Sequence, residues 1–209
     1  MKKLFALLLT ISFLTFAYAN DIFKIKTING KNLTFVGTER GIKVQEYKGK
    51  VILLEFWGTW CGPCLLSIPH HEELQEKYKD KLQVIAFETT PTVTAKDLVA
   101  YVNDPATHID FSRVDYYLNE KAKTPAQKAS LQQPIKDLKA FIKAKKKITY
   151  DVVAYNDGKE FIEYVARRAN WPGFIPYLLI MDKNGNLAQI IPGMPNGKAL
   201  EEYIKSLIK

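Results

Sequence analysis

Apolar residues recur along this chain in two rhythms, one typical of strands and one of helices. Near-continuous apolar runs of strand length cover 51–57 and 82–87, the pattern of strands that are buried on both faces. The run 63–79 instead repeats its apolar residues at helical spacing, with Pro69 as an expected kink. Weaker patterns of the same kinds predict strands at 148–154, 177–181 and 187–191 and helices at 95–102, 160–168 and 198–207.

The order of these elements predicts an α/β fold in which helices flank one mixed central sheet. A loosely alternating stretch at 22–35, broken by the turn Asn29-Gly30-Lys31, predicts an N-terminal β-hairpin. Near the other end, Asp182-Lys183-Asn184-Gly185 separates two strands and has the Asn-Gly content of a tight hairpin turn. We therefore expect a single domain over 20–209.

Residues 104–147 interrupt this order, where a short connection would be enough. Their apolar residues recur at helical spacing at Leu131, Ile135, Leu138 and Ile142. This spacing predicts a helical insertion, and nine lysines and one acid between 121 and 147 make it basic. Two interpretations are open: a solvated amphipathic helix that keeps the protein soluble, or a surface that docks an acidic partner or an anionic membrane.

The first 19 residues have the three parts of an export signal. Lys2 and Lys3 precede the apolar core Leu4–Ala17, and Ala17-Tyr18-Ala19 is a small-x-small cleavage site. Cleavage near Ala19 would leave a soluble periplasmic chain and lower the formal net charge from +8 to +6, since two lysines are lost. An uncleaved N-terminal anchor is the alternative. No later apolar run reaches the roughly 20 residues of a membrane span, which excludes a polytopic membrane protein.

Cys61 and Cys64 are the only cysteines, too few for a disulfide-stapled scaffold or a four-cysteine zinc site. Their spacing favours redox chemistry, because closing so short a loop removes little entropy from the unfolded chain. A predicted strand ends and a helix begins around them, which places Cys61 at a helix N-terminus that favours a thiolate. Pro63 suits the first helical turn. Cys64, one turn further in, is placed to resolve a mixed disulfide.

The run Phe56-Trp57-Gly58-Thr59-Trp60-Cys61-Gly62-Pro63-Cys64 resembles the active site of the thioredoxin superfamily. The signal and the turn at 182–185 resemble its exported TlpA/ResA-type branch. The resemblance covers 43–103 and 148–209 and leaves the insertion unmatched. It implies a thioredoxin-like fold and a thiol–disulfide oxidoreductase in which Cys61 attacks a target disulfide and Cys64 releases the reduced target. It requires no nucleotide and no metal, because the redox-active disulfide is the only cofactor.

Other positions support the resemblance. Pro69 stands where thioredoxins have a helix-kinking proline, and Ile175-Pro176 stands where they have a cis-proline loop that faces the disulfide. An extended substrate can pair with such a backbone edge as an added strand. Tyr177 replaces the usual threonine after the proline, so substrate preference there is open. The predicted substrate-binding residues are Trp60, Gly62, Pro63, Ile175 and Pro176, with Trp60 capping the groove.

Glu55 stands where thioredoxins keep a buried acid beneath the active site. A carboxylate in an apolar strand is costly unless it is paired or functional, so we expect it to be buried and to exchange a proton with Cys64. The alternative is a solvated position at an edge. Thioredoxins pair this acid with a lysine on the neighbouring strand, but 82–89 contains none, and Glu88 could even repel Glu55.

The cluster His70-His71-Glu72-Glu73 has side chains of the metal-binding types but lacks the H-E-x-x-H spacing and a third ligand set nearby. We interpret it as a solvated helix surface and predict no metal site.

The favoured function is a periplasmic reductase of disulfides in exported proteins, with apocytochrome c among the targets that the family suggests. Gly62-Pro63 between the cysteines and Ile175 before the cis-proline favour the reductive direction. We expect a monomer that a membrane-embedded donor re-reduces, and nucleic acid is not an expected partner. The alternatives are an oxidant or isomerase on the same fold, or a non-catalytic binding or chaperone module that works through the insertion.

Overall fold

A computed structural model describes residues 21–209, and the predicted signal Met1–Ala19 lies outside them. The strands are β1 Ile22–Lys26, β2 Asn32–Gly37, β3 Ile42–Val44, β4 Val51–Trp57, β5 Leu82–Glu88, β6 Asp151–Val153, β7 Tyr177–Met181 and β8 Leu187–Pro192. The helices are α1 Gly62–Lys77, α2 Ala95–Asn103, α3 Pro105–His108, α4 Phe111–Tyr116, α5 Pro125–Lys143, α6 Tyr155–Arg168 and α7 Gly197–Leu207, with a π-helical turn at Tyr117–Lys121. None of these helices is long and apolar enough to cross a membrane.

The central sheet has the strand order β6-β5-β4-β7-β8 and is mixed, as predicted. β4, β5 and β6 run parallel to one another, while β7 pairs antiparallel with both β4 and β8. Every residue of β4, β5 and β7 is buried, which explains why their sequences are near-continuous apolar runs rather than alternating ones. The α/β fold predicted from the sequence is therefore confirmed.

The predicted N-terminal hairpin is confirmed, and β3 extends it into a three-stranded antiparallel sheet. Polar contacts join this small sheet to the central one. The amide of Ile28 donates to the Val152 carbonyl at 2.9 Å, and the Lys31 ammonium lies 2.8 Å from the buried carboxylate of Asp151. The sequence did not reveal β3, because three residues are too few to show a period.

Two cores lie on opposite faces of β4, since successive side chains of a strand point to opposite sides. Leu53 and Trp57 face α1, α2 and the insertion, whereas Leu54 and Phe56 face α6 and the N-terminal sheet. Glu55 shares the parity of Leu53 and Trp57. Its side chain therefore belongs to the face that α1 covers.

The segment 104–147 is helical, as predicted, and forms α3, α4, the π-helical turn and α5. Its apolar stripe is part of the core rather than a solvated surface: Val114, Leu131, Leu138 and Phe141 are all buried in the cluster that contains both cysteines. The lysines of α5 remain on its outer side, where all of them are exposed.

The boundaries at 148–160 differ from the prediction. Only Asp151–Val153 form a strand, because the amides just before them are bonded elsewhere: Ile148 donates to the Val102 carbonyl and Thr149 to the Glu72 carboxylate. Helix α6 begins at Tyr155 instead of Glu160. Its first turn contains Gly158, where an added Cβ would lie 2.8 Å from the Phe87 ring, so the glycine serves close packing and not a turn.

Candidate active site

The two cysteines lie where β4 leads into α1, and they form a disulfide. Cys61 is the N-cap residue of α1, and its Sγ accepts a hydrogen bond from the Cys64 amide at 3.3 Å. Pro63 occupies the first turn, where a residue without an N–H leaves no helical bond unmade. In the reduced protein the same amide and the helix dipole would stabilise a Cys61 thiolate.

The insertion covers this motif. Cys61 is only 3% exposed, Cys64 is 0% exposed, and Gly62 between them is buried. A Cβ placed on Gly62 would collide with the Arg113 carbonyl and lie 3.1 Å from the Tyr117 Cβ, so α4 and the π-helical turn pack directly against the backbone of the motif. We call the segment 111–121 the cap. The sequence assigned the insertion no part in the site, and a buried Cys61 was not predicted.

Glu88 anchors the loop between β4 and the cysteines. Its carboxylate accepts hydrogen bonds from the amides of Thr59 at 3.0 Å and Thr90 at 2.8 Å. Burial raises the pKa of Glu88, and these hydrogen bonds oppose the rise. Trp60 is held beside this loop by a 2.8 Å bond from its indole nitrogen to the Thr90 hydroxyl, yet it is 51% exposed. Its ring is therefore positioned next to the disulfide and open to a partner.

The Ile175–Pro176 peptide bond is cis, as the resemblance implies. The Pro176 carbonyl accepts the Gly193 amide at 2.8 Å, which fixes the loop to the start of the last connection. A Cβ on Gly58 would lie 3.1 Å from the Ile175 Cδ1, so this loop packs against the turn that precedes the cysteines. The neighbouring Phe174 is 47% exposed.

Glu55 is buried at 1% exposure, which excludes the solvated alternative. It lies between Ala86 of β5 and Leu178 of β7 in the sheet register. Its partner is a histidine rather than the lysine of thioredoxins: the Glu55 Oε2 is 3.1 Å from the Nδ1 of His71. The other carboxylate oxygen, Oε1, has no hydrogen-bond partner within 21–209.

The interpretation of His70-His71-Glu72-Glu73 as a solvated surface is wrong: only Glu73 is exposed, while His70 and Glu72 are half-buried. His71 is completely buried, and the Glu72 carboxylate accepts hydrogen bonds from Thr149 and from the Tyr150 amide. The sequence did contain the signal, because His71 lies seven residues after Cys64 and therefore on the same helix face. Across residues 21–209, no three His, Cys, Asp or Glu side chains are grouped as a metal site requires.

The matches to known proteins agree with this geometry. The Redoxin family matches residues 32–111, which include both cysteines and Glu55. Over 172 residues the chain is 28% identical to "Thiol-disulfide oxidoreductase ResA" of Bacillus thuringiensis subsp. konkukian, covering 79% of this chain and 68% of that protein. These matches support a protein of the thioredoxin superfamily. The oxidised cysteine pair supports a thiol–disulfide oxidoreductase, and the similarity in sequence is to proteins of the ResA type.

Two further similarities mark the extent of this relationship. The chain is 41% identical to "Thioredoxin-like protein YneN" of Bacillus subtilis over 68 residues, which are 32% of this chain and only 35% of that one. In fold it resembles the "Crystal structure of a putative Thiol:disulfide interchange protein DsbE from Chlorobium tepidum", with a TM-score of 0.53 and 19% identity over 90% of this chain and 94% of that chain. The 41% identity is thus confined to about a third of either chain, whereas the similarity in fold extends over 90% of this chain.

Proposed function

We propose that this thioredoxin-superfamily member reduces disulfides in exported proteins outside the cytoplasm. The observation that carries the proposal is the Cys61–Cys64 disulfide at the N-terminus of α1, with the Cys64 amide directed at Cys61 Sγ. That arrangement favours a thiolate at the position from which a target disulfide is attacked. The structure contains the oxidised state, which is the product of one reductive cycle.

In the first step, the Cys61 thiolate of the reduced enzyme attacks one sulfur of the target disulfide. A bond forms between Cys61 and that sulfur, the target's own S–S bond breaks, and its second sulfur leaves as a thiolate. Trp60 and Ile175 of the cis-proline loop Ile175–Pro176 both pack against Gly58, three residues before the reacting cysteine, and would hold an extended segment of the target. Pro63, which is half-buried, completes the contact surface of the motif, whereas Gly62, the other predicted contact residue, is covered by the cap.

In the second step, the Cys64 thiol loses its proton and attacks Cys61 Sγ. The Cys61–Cys64 disulfide re-forms, and the target leaves as a thiolate that takes up a proton, so two electrons have passed from enzyme to target. Glu55 is the proposed proton acceptor, directly or through a water. Its burial on the α1 side of the sheet supports this role.

The cellular setting is part of the same proposal. The signal-like Met1–Ala19 favours export to the periplasm, either as a soluble chain or on an uncleaved anchor. An enzyme that ends each cycle oxidised needs a dithiol donor, for which the family suggests a membrane-embedded protein. Exported thiol proteins, with apocytochrome c as the family's example, are the proposed targets.

Insulin-disulfide reduction with dithiothreitol as the donor tests the activity. The wild-type chain is expected to accelerate insulin precipitation, and Cys61→Ser is expected to abolish the acceleration. Cys64→Ser is expected to stop after the first step and to accumulate a mixed disulfide that is visible by mass. Full turnover by Cys61→Ser would overturn the proposal.

A further inference from the structure

The imidazole of His71 is a buried group that the proposed reaction leaves unused. Its Nδ1 lies 3.1 Å from the Glu55 Oε2, and the two side chains are 0% and 1% exposed. We propose that His71 is a positioning residue, which holds Glu55 ready to take the proton from Cys64 during release of the target. This inference rests on the proposed function and assigns a residue to its second step.

The hydrogen bond to His71 occupies one oxygen of the Glu55 carboxylate and leaves the other available. Oε2 is occupied by His71, whereas Oε1 has no partner among residues 21–209. A buried carboxylate without any donor would be strongly destabilised and would turn toward whatever polar group it could reach. With His71 in place, the carboxylate has one fixed orientation, and Oε1 is the oxygen that can accept a proton.

Helix α1 carries the resolving cysteine and the partner of the acid on one face. His71 follows Cys64 by seven residues, which is close to two helical turns, so both side chains face the sheet. Glu55 points to this same side of β4, as its parity with Leu53 and Trp57 shows. A charged or polar partner for the acid is therefore supplied from the helix, in place of the lysine that β5 lacks.

Other titratable groups surround this pair and must be separated from it in any pH profile. Tyr150 approaches the His71 ring from the segment before β6, with a centroid distance of 6.3 Å. His70 and Glu72 lie on α1, and Glu201 of α7 acts on His70. Tyr101 of α2 acts on Tyr150, and Asp137 of α5 borders the groove beside His71. Burial, reinforced by Glu55 and Glu72, raises the pKa of Tyr150 well above its ordinary value, so this phenol stays neutral at working pH.

The test separates the two steps with 5,5′-dithiobis(2-nitrobenzoate) as the target disulfide. Mixed with the fully reduced enzyme in single turnover, it releases one coloured thiolate when Cys61 attacks and a second when Cys64 resolves the mixed disulfide. His71→Leu is expected to leave the first phase unchanged and to slow the second at least roughly tenfold, with a flatter pH profile. Glu55→Gln is expected to slow the second phase similarly.

The double variant and the controls decide between positioning and mere packing. Because His71 acts through Glu55, His71→Leu combined with Glu55→Gln should be no slower than Glu55→Gln alone. His71→Gln retains a hydrogen-bond donor and should recover most of the second-phase rate. This variant also tests the role of His71 when His71→Leu does not fold. His70→Leu is the matched control on the adjacent, partly exposed position and should leave both phases unchanged.

A wild-type second phase in folded His71→Leu, additive effects in the double variant, or a His71→Gln as slow as His71→Leu would each overturn the role of His71. None of these results touches the proposed function, which survival of the first phase in Cys61→Ser would overturn in this assay. The two failures are therefore distinguishable in the same assay.

Discussion

Gly62 packs directly against Arg113, so that the backbone between the two active-site cysteines touches the carbonyl of a residue 51 positions later. The contact leaves no room for a side chain at position 62. It joins the segment that carries the chemistry to the segment that lies outside the thioredoxin-like part of the sequence. The cap is therefore part of the active-site surface, and a target must meet it on the way to Cys61.

Val114 tests whether the cap limits access to the disulfide. This valine is 2% exposed and lies in the same buried cluster as both cysteines. Val114→Ala removes packing between α4 and the core, which should cost about 1–3 kcal/mol and favour local opening of the cap. When this whole cost favours opening, a small phosphine should reduce the folded, oxidised variant about 5- to 150-fold faster than the wild type.

Tyr116 provides the matched control for this experiment, because it lies on the same helix but is 55% exposed. Tyr116→Ala should leave the reduction rate unchanged. Equal rates for wild type and Val114→Ala, at a temperature where both are folded, would mean that the cap does not control access.

The burial of Glu88 predicts a specific pH dependence of the stability of the protein. Burial raises the pKa of Glu88 in the folded protein above the ordinary value of 4.5. Ionisation of Glu88 therefore destabilises the folded protein. This destabilisation is absent below that ordinary value and grows as the pH rises through the raised pKa. The side-chain amide introduced by Glu88→Gln cannot ionise but leaves one of the two loop amides without its acceptor, a pH-independent cost of about 1–3 kcal/mol. The stability of wild type relative to Glu88→Gln should therefore fall as the pH rises across this window.

Urea unfolding of both oxidised proteins from pH 4 upward measures this difference. Comparison with the variant cancels the titration of the other acids. A difference that does not change with pH would contradict the assignment of burial as the dominant influence on Glu88.

The contacts of Asp151 predict how firmly the N-terminal sheet is attached to the central sheet. Its buried carboxylate accepts hydrogen bonds from Lys31 at 2.8 Å, from Gln83 at 3.2 Å and from the Tyr47 hydroxyl. Asp151→Ala should lower the free energy of unfolding by about 1–3 kcal/mol and speed amide exchange in β1–β3. Asp157→Ala, at an exposed position of α6, is the control, and an equal loss in both variants would count against the attachment.

The sequence predicted the parts of the fold whose patterns are strong. β4 and β7 were placed to the residue, because strands buried on both faces are unbroken apolar runs between clear turn residues. The length of strand β6 was overestimated, because buried residues that lie outside the sheet have the same composition as buried residues that pair within it. Its neighbours Thr149 and Tyr150 are bonded by Glu72, a long-range contact that no local pattern encodes.

The candidate site likewise has a part that the sequence predicted and a part that it did not. The redox pair, its position at the helix N-terminus and the burial of Glu55 followed from local sequence and from the cost of a carboxylate in an apolar strand. His71 was misread because two adjacent histidines and two glutamates suggest a polar surface, although the spacing from Cys64 placed one of them inside. The cap could not be predicted, because the contact of Gly62 with Arg113 depends on how the insertion folds back in three dimensions.

The redox potential of the Cys61–Cys64 pair tests the central claim, that this enzyme works as a reductase, most directly. Equilibration of the protein with glutathione buffers of known ratio, followed by thiol alkylation and mass analysis, gives this value. The account predicts a potential below about −180 mV, toward the roughly −270 mV of thioredoxin. A potential above about −180 mV, toward the roughly −120 mV of the oxidant DsbA, would contradict it.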